Sequence, residues 1–540
     1  MICDGWTRTL ARVFWLGAVC LVAAGAARGE MHKSVSQYGI TWTFDRPAEC
    51  GKFVNGDWWV VGPVTVTAVT PAPGPAAKDA TMEAKKNQFG DAALQDDNRM
   101  RNGSMVILDR TDSQGYDSRG KNYKAELSVQ PPCKLQPGRA LISTVSHASL
   151  PNPSLVAKLI WPSEQKVSAV LKTAAVLTCL AEAPPGEAFR PAYACPRDRI
   201  FRMKDLKWER LRRLKRADGP VKPLYPWQAA PTWDEMERYF QRPWLDHSHS
   251  WVFCHVVPSE NQAGYGREYA RLVSLASVML QLDVPRERKA KTLIGLVQLG
   301  IDLDGLVRLG MRWPADGGIW SGRKWPILFA GIMLGDKDMA NLSPEIPFQE
   351  DQQTYYGAGW LGQKVLFQMV AHHGPRRPYE ERPPEKWDSM DRRSEGYRLC
   401  CNAQAWIGAA VAARLMKAQR AWGHDAYFDY CQRWMRQDDP HAGRRGEHKR
   451  PEQEGKTYDP FVSNMYLAYW KTAPKQPGAE RNLKWVWAKD ARGQTQGKWV
   501  PNAPAAADAR PEGATEGSRG WSESRLAATG ATPGHRPTLP

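Results

Sequence analysis

The sequence predicts an α+β multidomain protein in which an N-terminal β-sandwich is followed by a helical α/α toroid or incomplete barrel. Two changes of pattern along the chain support this prediction. Between residues 38 and about 183, short β-branched runs alternate with Asn-Gly, Pro-Gly and Pro-Pro turn signals, which is typical of a sandwich. From Thr232 onward, apolar residues recur every three or four positions, which is typical of helices. Beyond Thr472 the sequence is dominated by Ala, Pro, Gly, Arg and Glu, which predicts a disordered tail.

These patterns divide the chain into five expected segments. Arg8 and Arg12 give a basic start, and the apolar run from Val13 to Ala27 that follows contains small residues suitable for cleavage, which is typical of a secretory signal peptide. A stretch rich in proline and charge separates the strands from the helices and is expected to lie along the surface as a linker. The expected segments are a signal peptide at 1–27, a β-sandwich domain at 30–183, a linker at 184–231, a helical toroid domain at 232–472 and a disordered tail at 473–540.

Each expected element has its own local signal. Thr232 precedes Asp234 and Glu235, so it is a suitable N-cap for the first long helix. Two later stretches are apolar on more than one side, which predicts buried helices. The expected strands lie at 40–44, 52–61, 64–69, 105–108, 140–145 and 167–180, and further helices are expected at 267–282, 290–309, 399–416 and 461–470.

The charge of the chain favours an acidic partner outside the cell. The formal net charge is +17 over 540 residues, and outside the tail it is spread rather than concentrated in blocks. For an exported chain this distribution favours an acidic polysaccharide over nucleic acid as the partner. No second long apolar segment follows the signal peptide, so we expect no membrane span and a periplasmic or extracellular location. The pairing of the eight cysteines beyond the signal peptide and the oligomeric state remain open.

The stretch 316–336 combines a glycine-rich loop with two cations, Arg323 and Lys324, at the expected start of a helix. Backbone N–H groups, a positive helix terminus and two cations together attract an anion, and Trp320 in the same loop can stack on a sugar ring. The alternative is a tight turn between helices with solvated basic residues. A Walker-type phosphate loop is excluded because Arg323-Lys324-Trp325 replaces the required Lys-Ser/Thr pair.

Two further passages, 260–268 and 394–398, combine an acid, glycine, tyrosine and arginine before expected helices. Tyr265 lies between two glycines and is therefore free to project into a cleft, although it can equally be a packed turn residue. Tyr397 occupies the corresponding place in the second passage. Alternate loops of an α/α toroid face the same rim, so these passages and the 316–336 loop are candidates to converge.

These residue types suit β-elimination at a uronate. That reaction needs a group that neutralises the carboxylate, a base that removes the C5 proton and an acid that protonates the leaving oxygen. Hydrolysis would instead need two carboxyls across the glycosidic bond, for which Asp302 and Asp304 are also candidates. The candidate catalytic residues are Tyr265, Tyr397, His255, Glu268 and Glu395, and the candidate substrate-binding residues are Asn261, Arg267, Trp320, Arg323, Lys324 and Arg398.

Histidines offer a different chemistry that we consider less favoured. Asp246-His247-Ser248-His249 with Cys254-His255 contains enough ligands for a metal ion, but the spacing matches no standard site. A capping or surface role fits these residues better. We therefore expect neither a metal ion nor another cofactor.

Residues 232–470, with their tryptophan-rich helices and loops bearing Tyr, Arg and His, resemble secreted polysaccharide lyases of the α/α-toroid type. The passages GRKWPILFAG and ENQAGYGRE are also similar to passages in exported bacterial proteins of unassigned activity. The resemblance to the lyases is architectural and departs from their usual order, because here the β domain precedes the helices. It implies a lyase acting on an acidic, uronate-containing glycan. A glycoside hydrolase of similar fold and a non-catalytic glycan-binding or cell-surface protein are the alternatives.

Overall fold

The computed structural model describes residues 29–74, 100–107, 112–148, 169–195, 199–223, 226–248, 255–360, 362–371, 374–436, 457–473, 483–489 and 495–501. The expected signal peptide lies outside these residues, as does most of the expected tail.

One curled sheet contains the strands of the N-terminal part. Its strands are β1 (Glu30–Gln37), β2 (Ile40–Lys52), β3 (Trp58–Val61), β4 (Val64–Thr70), β5 (Ser104–Val106), β6 (Cys133–Leu135), β7 (Arg139–Ser146), β8 (Ala169–Leu180) and β9 (His255–Pro258). The strand order is β5-β7-β8-β3-β2-β4-β6, with β1 paired to β2 and β9 paired in parallel to β8. The described strands therefore form one curled sheet, whereas the expected sandwich would need two facing sheets.

Both faces of this sheet are covered, which explains the apolar runs in its central strands. Successive side chains of a strand point to opposite faces. Along β7, Ala140 and Ile142 join the core that contains the helices, whereas Leu141 joins a second core enclosed by the curl of the sheet. In that second core Trp42 is fully buried, and its indole N–H donates to Ser143 Oγ at 2.9 Å.

The helices occupy the middle of the chain, as the sequence predicted. Thr232 caps the first of them as expected, because its hydroxyl accepts from the Glu235 N–H while the Glu235 carboxylate accepts from the Thr232 N–H. The helices are α1 (Trp233–Phe240), α2 (Gly266–Met279), α3 (Arg286–Arg308), α4 (Lys324–Leu334), α5 (Gln349–Gln353), α6 (Ser389–Tyr397), α7 (Ala403–Leu415), α8 (Gln419–Trp422), α9 (Asp425–Arg436) and α10 (Pro460–Tyr469).

Short elements connect and extend these helices. A π turn, Arg398–Asn402, joins α6 to α7. The remaining strands form two-stranded hairpins, namely β10 (Thr354–Tyr356) with β11 (Val365–Phe367), β12 (Met369–Ala371) with β13 (Gly374–Arg377), and β14 (Leu483–Lys489) with β15 (Thr495–Pro501). Part of the region expected to be a disordered tail thus contains a hairpin.

The sheet and the helices share a hydrophobic core, in which Ile142 and Val176 of the sheet belong with Val273 and Leu296 of the helices. Within the described ranges, no helix has both the length and the apolar character needed to cross a bilayer.

The start of the expected linker is a buried bridge between sheet and helices. Arg190 is fully buried and donates to Asp57, which immediately precedes β3, and to both carboxylate oxygens of Asp302 in α3. Phe189 and Tyr193 beside it are also fully buried. The expectation that this whole segment lies along the surface was therefore wrong here, because its arginine has partners on two separate elements.

Candidate functional site

The three passages singled out in the sequence meet at Gly317 and Gly318, which we call the glycine strip. A Cβ atom added to Gly318 would lie 2.7 Å from Tyr265 Oη, and one added to Gly317 would lie 3.1 Å from Tyr397 Cε1. A Cβ atom added to Gly266, at the start of α2, would lie 2.2 Å from the Gly318 carbonyl oxygen. A side chain at these glycines would displace its neighbours, so the convergence of the three loops depends on glycine.

Tyr265 and Tyr397 are half-buried at the glycine strip, and Trp320 in the same loop is also half-buried. Tyr265 occupies the N-cap position of α2 in an extended conformation, without a capping hydrogen bond from its side chain. The positive end of the α2 dipole therefore lies beside the glycine strip. Partly exposed rings, a backbone without side chains and a positive helix end suit the recognition of a polar ligand with an apolar face.

Arg267 and Glu268 form a buried ion pair directly behind Tyr265. Arg267 Nε donates to Glu268 Oε1 at 2.5 Å, and Arg267 Nη1 donates to the Cys400 carbonyl oxygen at 3.3 Å. The guanidinium carbon lies 5.6 Å from the centroid of the Tyr265 ring and 5.4 Å from that of Tyr458, close enough for cation–π attraction. Glu268, a catalytic candidate from the sequence, is only 3% exposed and is already paired with Arg267.

In the second passage, as in the first, a half-buried tyrosine lies next to a buried ion pair. Arg398 donates from Nε and Nη2 to the two carboxylate oxygens of Glu395, at 2.7 and 2.5 Å. The Tyr379 hydroxyl donates to Glu395 Oε2 at 2.6 Å. Both charged residues are nearly fully buried, so neither is placed for the catalytic and substrate-binding roles that the sequence predicted.

Arg323 and Lys324 are also buried in ion pairs, which overturns their expected role as an exposed anion clamp. The Arg323 guanidinium donates to both carboxylate oxygens of Asp246, at 2.8 and 3.0 Å, and Nη1 donates to the Ile319 and Ser321 carbonyl oxygens. Arg323 is 0% exposed. Lys324 pairs with Asp351 and donates to the Trp422 carbonyl oxygen. These cations hold the loop in place from inside the protein.

The other candidates also have structural partners or lie outside the described side chains. Asn261 is fully buried and donates to the Arg242 carbonyl oxygen at 3.2 Å. Asp302 pairs with Arg190, and Asp304 pairs with Arg308. These carboxyls are therefore unsuited to act across a glycosidic bond. His255 begins β9, and its side chain is outside the described part of the structure.

A short buried helix that the sequence analysis missed fixes the glycine strip. All five residues of α5 are polar and buried. Gln349 Nε2, Gln353 Nε2 and Asn402 Nδ2 all donate to the Gly317 carbonyl oxygen, at 3.2, 3.0 and 3.0 Å. The detectable signal was QEDQQ, an uninterrupted polar run between Phe348 and Thr354 without glycine or proline, which is unusual for a surface turn.

Glu350 in α5 is a buried carboxyl near the loop whose pKa is raised. Burial raises its pKa from the ordinary 4.5 to about 7, and the neighbouring Asp351 also raises it. The hydrogen bond from the Gly322 N–H and the charge of Lys324 act in the opposite direction. This carboxyl belongs to the support of the loop, because Glu350 is only 3% exposed.

Cys400 and Cys401 form a disulfide within the π turn. Cys401 lies against the glycine strip, since a Cβ atom added to Gly318 would lie 2.8 Å from its Cβ. The sequence had left cysteine pairing open, and the detectable signal was the adjacency of two cysteines immediately after the Glu-Gly-Tyr-Arg passage. π turns interrupting helices are often found at functional sites.

His247 is the described histidine of the metal hypothesis, and it is buried. Burial lowers the pKa of its imidazole to about 4, and the ring lies edge-on to Tyr116 at 5.6 Å between centroids. Across the described ranges, no group of three or more His, Cys, Asp or Glu side chains is arranged to hold a metal ion.

The site can therefore offer two tyrosine hydroxyls, aromatic rings and a positive helix end, with its charged residues held in ion pairs behind them.

Comparisons of the chain with protein-family models, with curated proteins and with solved structures find no match.

Proposed function

We propose that this chain binds an acidic, uronate-containing glycan at the glycine strip and cleaves it by β-elimination. The observation that carries the proposal is that two half-buried tyrosines, Tyr265 and Tyr397, meet at adjacent glycines beside the N-terminus of α2. Export to the periplasm or beyond the cell, and a toroid-like arrangement of the helices, are parts of the same proposal.

The chemistry assigns a proton transfer to each tyrosine. Tyr265, ionised as tyrosinate, accepts the C5 proton of the uronate. The electron pair of that C–H bond forms the C4–C5 double bond while the C4–O bond breaks, and Tyr397 gives its proton to the leaving oxygen. The N-terminus of α2 stabilises the uronate carboxylate. Metal chemistry is not part of this sequence of steps.

Hydrolysis is less well supported, because it requires one carboxyl that donates a proton and another that activates water or attacks the sugar. The four carboxyls considered from the sequence are each paired with an arginine, namely Glu268 with Arg267, Glu395 with Arg398, Asp302 with Arg190 and Asp304 with Arg308.

The second candidate function is glycan binding without cleavage. It is favoured by the burial of Arg323 and Lys324, since the side-chain cations expected to neutralise the uronate carboxylate are already paired with Asp246 and Asp351. In this case Tyr265, Tyr397 and Trp320 would stack on sugar faces, and affinity alone would be the function.

Incubation with a panel of uronate polysaccharides tests the proposal. We expect new absorbance at roughly 235 nm from the unsaturated uronate. Tyr265→Phe should lower kcat by about 10² or more, while glycan affinity stays within about threefold, because only the proton-transferring hydroxyl is lost.

Tyr469→Phe is the matched control. Tyr469 is half-buried in α10, and its hydroxyl donates to the Lys215 carbonyl oxygen at 2.7 Å. Tyr469 is remote from the glycine strip. The next residue, Trp470, stacks with Arg414 of α7. Arg414 lies eleven residues after the start of α7, which places it roughly 16 Å along the helix from the end nearest the glycine strip. This variant should keep full activity.

The polysaccharide panel separates the alternatives. Reducing ends without new absorbance would favour hydrolysis, and binding without either product would favour the second candidate. No binding across the panel would reject both.

A further inference from the structure

The disulfide between Cys400 and Cys401 closes the smallest ring that a disulfide can form in a peptide chain, because the two residues are adjacent. A disulfide stabilises a fold mainly by restricting the unfolded chain, and this effect shrinks as the enclosed loop shortens. A bond between neighbours therefore contributes little to global stability. Its main consequence is local, in the π turn Arg398–Asn402 that contains it.

That turn is attached to two other elements at the site. The Cys400 carbonyl oxygen accepts from Arg267 Nη1 at the start of α2 and from the Tyr458 hydroxyl just before α10. Cys401 packs against Gly318, and its Sγ lies 4.0 Å from Arg267 Nη1. The disulfide thus lies where α2, the glycine strip and the π turn meet.

The residues that flank the disulfide contact the glycine strip from both ends of the turn. Tyr397, immediately before the turn, lies against Gly317. Asn402, its last residue, donates from Nδ2 to the Gly317 carbonyl oxygen at 3.0 Å and to the Tyr397 carbonyl oxygen at 3.2 Å. Both contacts thus come from residues at the two ends of the segment that contains the disulfide.

We propose that the Cys400–Cys401 disulfide is a positioning element that holds Tyr397 and Asn402 on the glycine strip, and that a dithiol reductant releases them. In the release, the S–S bond breaks and two S–H bonds form, while the dithiol supplies two electrons and two protons and becomes a disulfide. Cys400 is partly exposed, so a small dithiol can reach this ring, whereas Cys401 is nearly fully buried. The role assigned to Tyr397 rests on the proposed function, but the positioning itself does not.

The test compares the full chain with and without dithiothreitol, next to the Cys400→Ser/Cys401→Ser double variant. Alkylation and mass spectrometry first verify that the two cysteines are paired before reduction and free after it. Amide hydrogen exchange then reports on residues 397–402 and 316–320. Reduction should accelerate exchange in both segments at least tenfold, while exchange in the core helix α3 changes less than twofold.

The double variant separates this disulfide from the remaining cysteines. It should exchange like the reduced wild type and should not respond to dithiothreitol. Unpaired cysteines at the site, unchanged exchange after complete reduction, or an equal dithiothreitol response in the double variant would each overturn the proposal. None of these readouts requires a substrate, so they decide the proposal even if no glycan is cleaved. If the proposed function holds, reduction should also lower kcat/KM at least tenfold.

Discussion

Two sets of side chains contact the loop at 317–323, and they differ in how far water reaches them. Tyr265 and Tyr397 are half-buried at the glycine strip. By contrast, Asp246 is fully buried where it pairs with Arg323 of the loop. The α5 residues that donate hydrogen bonds to the backbone of the loop, or accept them from it, are also nearly or fully buried. We refer to the first as the aromatic set and to Arg323, Asp246 and α5 as the polar set.

The comparison indicates a division of labour within one site. A buried charge that loses its partner retains the cost of removing it from water, so the polar set is expected to determine stability. Water can replace a hydroxyl that is lost from a half-buried tyrosine, so we expect the aromatic set to contribute little to stability and to be available for chemistry. The following variants test whether the two sets separate in this way.

The largest effect is expected from the Asp246–Arg323 pair. Asp246→Asn leaves the guanidinium of Arg323 buried without a compensating charge, and this should reduce the free energy of unfolding by about 3–5 kcal/mol. Urea unfolding followed by circular dichroism measures the loss.

The matched control is the same substitution in an exposed pair. Asp234 pairs with Arg288 at 2.8 Å, but these side chains are 76% and 49% exposed. Asp234→Asn should therefore cost no more than about 1 kcal/mol. Equal losses in the two variants would contradict the stabilising role assigned to the polar set.

A smaller and pH-dependent effect is expected from Glu350. Its pKa of about 7 in the folded protein exceeds the ordinary 4.5, chiefly through burial. Between these pH values the folded protein keeps a proton that the unfolded chain has lost, so this carboxyl makes stability fall as pH rises from 4.5 to 7. The total loss amounts to about 3 kcal/mol.

Glu350→Gln removes this titration while retaining an oxygen that can accept from the Gly322 N–H. Unfolding free energies of both proteins at pH 5 and pH 8 isolate the contribution, because other groups, such as His247 with its lowered pKa, titrate equally in both. The wild type should lose more stability than the variant over this interval. Parallel pH profiles would show that the carboxyl titrates normally.

The helix starts and the close backbone approach at the glycine strip were accessible from sequence because their causes are local, whereas the convergence of the three loops was left open. Helix starts are indicated by caps and by apolar spacing, and glycines beside Tyr265 indicate close backbone approach. The partners of the cations were inaccessible because they are distant in sequence. Asp246 is 77 residues from Arg323, and Asp351 is 27 residues from Lys324. A sequence displays charge but not which charges meet, so buried ion pairs were interpreted as exposed binding groups.

The sheet shows a similar limit. The runs around β7 and β8 predicted strands, and strands are present there. However, these runs do not show whether the strands belong to one sheet or to two facing sheets, because that depends on pairing between strands distant in sequence, such as β3 with β8. Arg190 carried no local signal of its role either, because its partners Asp57 and Asp302 come from separate elements.

The smallest effect on stability is expected from Tyr397 of the aromatic set, and Tyr379, a buried tyrosine outside that set, is its matched comparison. Tyr379 is fully buried, and its hydroxyl donates to Glu395 Oε2. Tyr379→Phe leaves a buried carboxylate without this donor and should cost about 1–3 kcal/mol. Tyr397 is half-buried, so Tyr397→Phe should cost less than about 1 kcal/mol, because water can replace the hydroxyl.

Activity should follow the opposite order if the division of labour holds. Tyr397→Phe should lower turnover of an acidic glycan by about 10² or more, since it removes the proton donor for the leaving oxygen. Tyr379→Phe should change turnover less than about tenfold, because its hydroxyl only supports the Glu395–Arg398 pair. Unfolding curves and initial rates of the two variants provide the four required values. If Tyr397→Phe proved the more destabilising and left turnover intact, Tyr397 would belong with the supporting residues and the proposed acid would have to be sought elsewhere.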